Sequence, residues 1–258
     1  MIFGGRNPPN PPFSKGGFAS VPFSMVGFSR VPFSKGDLSK GDFSFSPLWK
    51  RGGGGDFSKG FSSSTPFGKA GQGEIYQPGF YGKLPELGDF VQRRLPTAFV
   101  QPWDQWLRES LASSRAQLGE QWLEVYLVSP LWRFVLMPNV AGQLAWAGVL
   151  MPSVDRVGRY FPLTIACQLD PTTNCFDCFC NADDWFARAE AVALKGLQLG
   201  CDLAGFDAEV LALGSCQLSV GSSQSSGQCG SWWQSSSAEW SYPALPPPTQ
   251  FRVLLAGS

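Results

Sequence analysis

The chain has 258 residues, with 20 Lys and Arg balancing 20 Asp and Glu, seven Cys, no His, and a mean hydropathy of −0.06. The absence of imidazole excludes Ser-His-Asp and Cys-His catalysis and every metal site built on histidine. Balanced charge without a basic stripe argues against nucleic acid, and no run of about 18 apolar residues is present for direct membrane insertion.

Composition divides the chain in two. Residues 1–74 are dominated by Gly, Pro, Ser and Phe and hold nine Lys/Arg against four Asp/Glu; residues 75–258 hold eleven against sixteen and carry nine of the ten Trp. Phe-Ser-Lys-Gly recurs at 13–16, 33–36 and 57–60, and Val-Pro-Phe-Ser at 21–24 and 31–34. The irregular spacing cannot stack into a solenoid, and isolated Phe residues cannot offset the entropy of ordering such a segment. The expectation is a disordered extension over 1–74 and one folded domain over 75–258. The repeats read more simply as translated repetitive sequence ahead of a working start near Gly73 than as stickers for a partner. About 180 residues bury roughly 70% of their unfolded surface, so the domain needs no staples. From an odd cysteine count and no secretory apolar core at the N-terminus, the expectation is reduced thiols and a cytoplasmic location.

The folded part begins with a short strand over Phe80–Pro85 and a turn through Glu86, Leu87 and Gly88. Asp89 is then expected to cap a short helical turn carrying Phe90 and Val91. After Pro96, the apolar residues Phe99, Trp103, Trp106, Leu107, Leu111 and Leu118 recur at three- and four-residue steps, predicting a helix of about five turns with Pro102 in its first turn. Gly119 ends it. Trp122, Leu123, Tyr126 and Leu127 repeat the spacing in a shorter helix that stops at Pro130.

Leu131–Met137 is dense in β-formers and reads as a strand. The central stretch follows, WAGVLMPSVDRVGRYFPL over 146–163: apolar runs Trp146–Met151 and Tyr160–Ile165 flank the polar Ser153–Arg159, a hairpin with a projecting charged tip. Three consecutive strands with tight connections predict an α+β fold, mainly an antiparallel sheet covered by helices. Asn181 or Asp183 is expected to cap a helix whose buried stripe is Trp185, Phe186, Ala189, Ala193, Leu194 and Leu197, with Gly200 at its end. A further helix spans Asp202–Leu213. The Ser, Gly and Gln rich 214–230 reads as loop, Trp232 and Trp233 begin a strand, and Pro246–Pro248 start a last helix over Thr249–Ala256.

Candidate chemistry is sparse. Cys175-x-x-Cys178-x-Cys180 has metal-like spacing, but a structural zinc needs four ligands and no second pair exists. Asp183 and Asp184 sit where a helix begins, so the helix dipole explains them without catalysis. Asp155 beside Arg156 and Arg159 reads as a turn residue in a local ion pair, on a loop suited to binding. Lys83, Arg93 and Arg94 flank the early turn and are candidates to join it in one basic-edged face.

The segments Gly79-Phe80-Tyr81-Gly82-Lys83-Leu84-Pro85, Gly88-Asp89-Phe90, Arg93-Arg94-Leu95-Pro96, Pro102-Trp103-Asp104-x-Trp106-Leu107 and Trp132-Arg133-Phe134 occur in this order before the run 148–163. Together they resemble the TagF family of accessory proteins of bacterial type VI secretion, over about residues 77–257. The resemblance implies a cytosolic, non-enzymatic regulator that restrains assembly of the apparatus after translation by engaging a forkhead-associated scaffold protein, with no cofactor. It also implies a mixed fold similar to longin or profilin-like domains. The extension and the low-complexity 215–228 depart from the family pattern. Loop position and charge make Lys83, Asp89, Arg93, Asp155, Arg156 and Arg159 the expected partner-binding residues. The reading from another class is a metal-dependent hydrolase or phosphatase-like enzyme using Asp155 or Asp183; a third is a zinc or thiol redox protein through Cys178.

Overall fold

A computed structural model describes residues 76–169, 182–198, 200–216 and 230–257. The extension 1–74, the Cys175/Cys178/Cys180 cluster and Asn181 lie outside the described residues. Among the described residues, seven strands form one antiparallel sheet: β1 Gly79–Gly82, β2 Val91–Arg93, β3 Trp132–Leu136, β4 Trp146–Met151, β5 Leu163–Gln168, β6 Ser231–Gln234 and β7 Glu239–Tyr242, in the order β2-β1-β5-β4-β3-β6-β7. The helices are α1 Thr97–Leu118, α2 Trp122–Leu127, α3 Asp183–Lys195, α4 Leu203–Ala212 and α5 Phe251–Ala256.

Side-chain alternation divides the core into two layers, because successive residues of a strand point to opposite faces. On β4, Trp146 and Leu150 join Phe134, Leu136 and Trp233 beneath α1, α2 and α5. Ala147, Val149 and Met151 join Val135, Leu163 and Ile165 beneath α3 and α4. The expected antiparallel sheet with helical cover is therefore present, covered on both faces. The central hairpin pairs Trp146 with Gln168 and Met151 with Leu163. Gly148 is required at its middle, since a Cβ there would lie 2.4 Å from the Ile165 carbonyl oxygen and 2.5 Å from the Phe134 ring.

The structure corrects several local expectations. Asp89 caps no helix: its Oδ1 accepts from the Phe90 N–H, and β2 follows, pairing with β1 so that Val91 turns into the core. The second hairpin strand begins at Leu163, while Tyr160 makes only an isolated bridge to Val154. The connections 137–145 and 152–162 are long, and the second folds its polar tip back against the body. Pro102 is the sixth residue of α1, so it costs the helix a bond to Ala98 and does not sit among the free N–H groups of the first turn. Asp183 is the first residue of α3; Ala182 occupies the cap position, and the Asp183 carboxylate is drawn to Arg133. The same helix stops at Lys195, short of Gly200. Strand β7 had no forecast, since its residues alternate between exposed and half-buried without a strong apolar signal.

The helix expected over Asp202–Leu213 is α4, with Asp202 at its cap position accepting from the Gly205 N–H at 2.6 Å, and α1, α2, β3, β6 and the terminal helix fall close to where the residue pattern put them.

Candidate functional site

The loop 152–162 joins the two central strands and is built around one carboxylate. The Asp155 side chain is fully shielded from solvent. Its Oδ1 accepts from the backbone N–H groups of Val157 (3.0 Å) and Arg159 (2.9 Å), which closes the turn. Its Oδ2 accepts from Lys83 Nζ and Arg159 Nε, both at 2.7 Å. Gly158 supplies the left-handed residue of that turn, at φ 83°, which a side chain would strain.

The loop is also tied to the body. The Ser153 backbone N–H donates to the Tyr126 hydroxyl, which in turn donates to the Ser153 carbonyl, and Ser153 Oγ donates to the Lys83 carbonyl at 2.8 Å. The Arg156 N–H donates to the Leu87 carbonyl at 2.9 Å, and Arg159 Nη2 donates to the Gly88 carbonyl. Lys83 Nζ lies 4.9 Å from the centroid of Phe90, which packs edge-on against Phe161. The polar tip thus folds inward onto the 84–88 turn and does not project.

The electrostatics follow from this geometry. Burial alone would raise the Asp155 pKa, but hydrogen bonds from Lys83 and Arg159 outweigh it and hold the carboxyl below its usual range. Burial pulls the Lys83 pKa down, and a carboxylate shared with Arg159 restores only part of the loss. Asp155 is consequently a constitutive anion whose lone pairs are all engaged, the property of a structural pin and not of a group free to move a proton or take a metal.

Of the six residues expected to face a partner, Lys83 and Asp155 are buried together and organise the loop from within. Arg156 and Arg159 are exposed on its outer side, and Asp89 is exposed nearby, close enough for its charge to act on Lys83. Arg93 stands apart on the edge strand β2, its Nη1 turned back to the Gln92 carbonyl. Arg94 ties β2 to α4 through Asp207 at 2.6 Å, with its backbone at φ 57°. Ser153 and Tyr126 were missed as supports of the loop, as was Val157 as its apolar apex, 64% exposed. Its position between two arginines was the available signal.

The other candidate carboxylates are engaged as well. Asp183 pairs with Arg133 at 2.8 Å and Asp184 with Arg188 at 2.9 Å. Among the described residues no group of three His, Cys, Asp or Glu stands close enough to hold a metal ion, and no helix is long and apolar enough to cross a membrane. Cys167 is buried, and desolvation pushes its pKa up to about 12, so it is a poor nucleophile at neutral pH.

Residues 79–213 match the family described as TagF N-terminal domain, Type VI secretion system-associated. The chain is also similar to PA0076 from Pseudomonas aeruginosa PAO1, solved by crystallography: identity is 35%, the TM-score is 0.61, and the match covers 70% of this chain and 95% of that one. No curated protein matches.

Proposed function

The chain belongs to the TagF family, and we propose that it acts in the cytoplasm as a non-enzymatic, post-translational repressor of bacterial type VI secretion by contact with a forkhead-associated scaffold protein. The observation that carries this reading is that the family match spans the whole loop built on the Lys83–Asp155–Arg159 cluster, and that this cluster leaves the Arg156 and Arg159 side chains exposed on a fixed backbone. A preorganised charged loop binds with little ordering cost, which is the economy expected of a recognition surface. The longin- or profilin-like kinship belongs to the same proposal, supported by a central antiparallel sheet with helices on both faces; superposition on such domains tests it.

The functional test is a pull-down with the scaffold protein. Combined Arg156→Ala and Arg159→Ala substitution weakens capture while the thermal melt stays cooperative, because exposed charges mainly tune association. Unchanged capture would move the interface elsewhere. Turnover of a phosphate ester that disappears in Asp155→Ala would instead favour the hydrolase reading.

A further inference from the structure

We propose that Val157 is the apolar anchor of the interface, and that it seats in an apolar recess rimmed by carboxylates on the scaffold protein; this inference rests on the partner reading above. Val157 has the largest exposure among the big apolar side chains of the described residues, 64%, with Val128 next at 62%. Its setting differs from that of an incidental surface valine. The Val157 N–H is held by Asp155 Oδ1, the residues on both sides are bonded to the 84–88 turn or to Asp155, and the carboxylate that organises them is itself locked to a buried lysine. A turn of this kind needs only its glycine and its aspartate; nothing in its own hydrogen bonding calls for an apolar side chain at the apex. Presenting one there on a rigid backbone removes most of the entropy cost of burying it in a partner.

The charges around the apex state the partner's chemistry. Arg159 shares its charge with Asp155, whereas the Arg156 guanidinium has no ion-pair partner among the described residues. An arginine beside an exposed apolar side chain calls for an acceptor next to an apolar surface, and carboxylates meet the guanidinium fork best. Residues 75–258 hold eleven Lys/Arg against sixteen Asp/Glu, so the domain has no net positive charge to draw a phosphate backbone or an anionic bilayer, and its attraction for carboxylates is local to the loop. A folded protein surface with a local acidic rim is the partner that fits both facts.

The experiment measures affinity of the full chain for the forkhead-associated scaffold protein, with thermal melts on every variant. Val157→Asp is expected to weaken binding by about tenfold or more, as loss of a central anchor does, while its melt matches that of the parent. Val128→Asp, an equally exposed site at the end of α2, is expected to bind like the parent. Arg156→Glu is expected to slow association and to reverse its salt dependence. Wild-type affinity in Val157→Asp, or an equal loss in Val128→Asp, overturns the anchor while leaving the partner reading intact. If the parent chain itself does not bind the scaffold, the partner reading fails first and the anchor falls with it.

Discussion

The two faces of the sheet bury similar numbers of side chains by different means. Beneath α1, α2 and α5 the layer is aromatic, and four of its indoles are tethered. Trp103 Nε1 donates to Thr164 Oγ1 (2.9 Å), Trp106 to the Pro246 carbonyl (2.8 Å), Trp122 to Ser114 Oγ (2.9 Å) and Trp132 to the Leu254 carbonyl (2.8 Å). Beneath α3 and α4 the layer is mainly Val, Leu, Ile, Ala and Phe, whose burial is favourable but carries no direction. The difference assigns the faces different tasks. The aromatic face specifies where the C-terminal segment lies, because Trp106 and Trp132 fix it at two carbonyls about one helix apart. The aliphatic face supplies hydrophobic stabilisation and tolerates small changes of shape.

The sharpest way to break this asymmetry is Trp103→Ala. Trp103 is fully buried and stacks against Phe99 and Trp233, so its removal is expected to cost about 3 to 5 kcal/mol and to strand the Thr164 hydroxyl. Equilibrium urea unfolding measures it, and a cost below that of an aliphatic truncation would refute the special place of the aromatic layer.

Asp155→Ala tests whether the loop lock behaves like the directional face. Removing one partner of a buried pair leaves Lys83 uncompensated, at a cost of about 3 to 5 kcal/mol, toward the lower end because the half-exposed Arg159 relaxes into water. The pH dependence has a definite sign. The folded pKa of Asp155 lies below its unfolded value, so its contribution is present above about pH 3.9 and is lost as pH falls through the folded value. The stability gap between parent and variant is therefore expected to close in acid; a gap that persists would show that the carboxylate acts through shape alone.

Within the layers, a matched pair separates direction from area. Trp132→Phe keeps an aromatic body but orphans the buried Leu254 carbonyl, an expected loss of about 1 to 3 kcal/mol. Ile165→Val on the opposite face removes one methylene, an expected loss of about 0.5 to 1.5 kcal/mol. Proteolysis should distinguish them further, with Trp132→Phe releasing the segment around α5 and Ile165→Val leaving it protected.

Legibility in sequence follows the same division. Helix α1 was readable because Phe99, Trp103, Trp106, Leu107 and Leu111 repeat at helical spacing, and the central hairpin because two apolar runs bracket a polar turn. Burial of Asp155 was not readable. Its partner Lys83 lies 72 residues away, and no local pattern distinguishes a carboxylate that caps a surface turn from one that also meets a buried ammonium. The segment after Asp89 was misread because an aspartate ahead of apolar residues signals a helix cap, whereas pairing of β2 with β1 decides the outcome in space. Five of the six proposed contact residues, all but Arg93, nonetheless fall in one cluster, since charge in a loop between strands marks a place where the backbone is held and side chains are presented.

The smallest expected effect lies on the rim of the aliphatic face. Arg133 reaches from β3 to α3, where Nε meets Glu190 Oε1 at 2.6 Å and Nη2 meets Oε2 at 3.0 Å, with Asp183 on its third nitrogen. Burial works against the Arg133 charge, yet these carboxylates outweigh it and raise its pKa further. Glu190 is nevertheless nearly one-third exposed, so Glu190→Gln, which keeps the shape and one acceptor, is expected to cost no more than about 1 kcal/mol. Salt makes the comparison decisive. Screening acts on charges that water reaches, so the Glu190→Gln loss shrinks as ionic strength rises, while the Asp155→Ala loss holds because no ion enters between Lys83 and its carboxylate. Equal salt sensitivity at the two sites would mean that solvent reaches the loop lock, and the rigid presentation of Val157 and Arg156 would lose its physical basis.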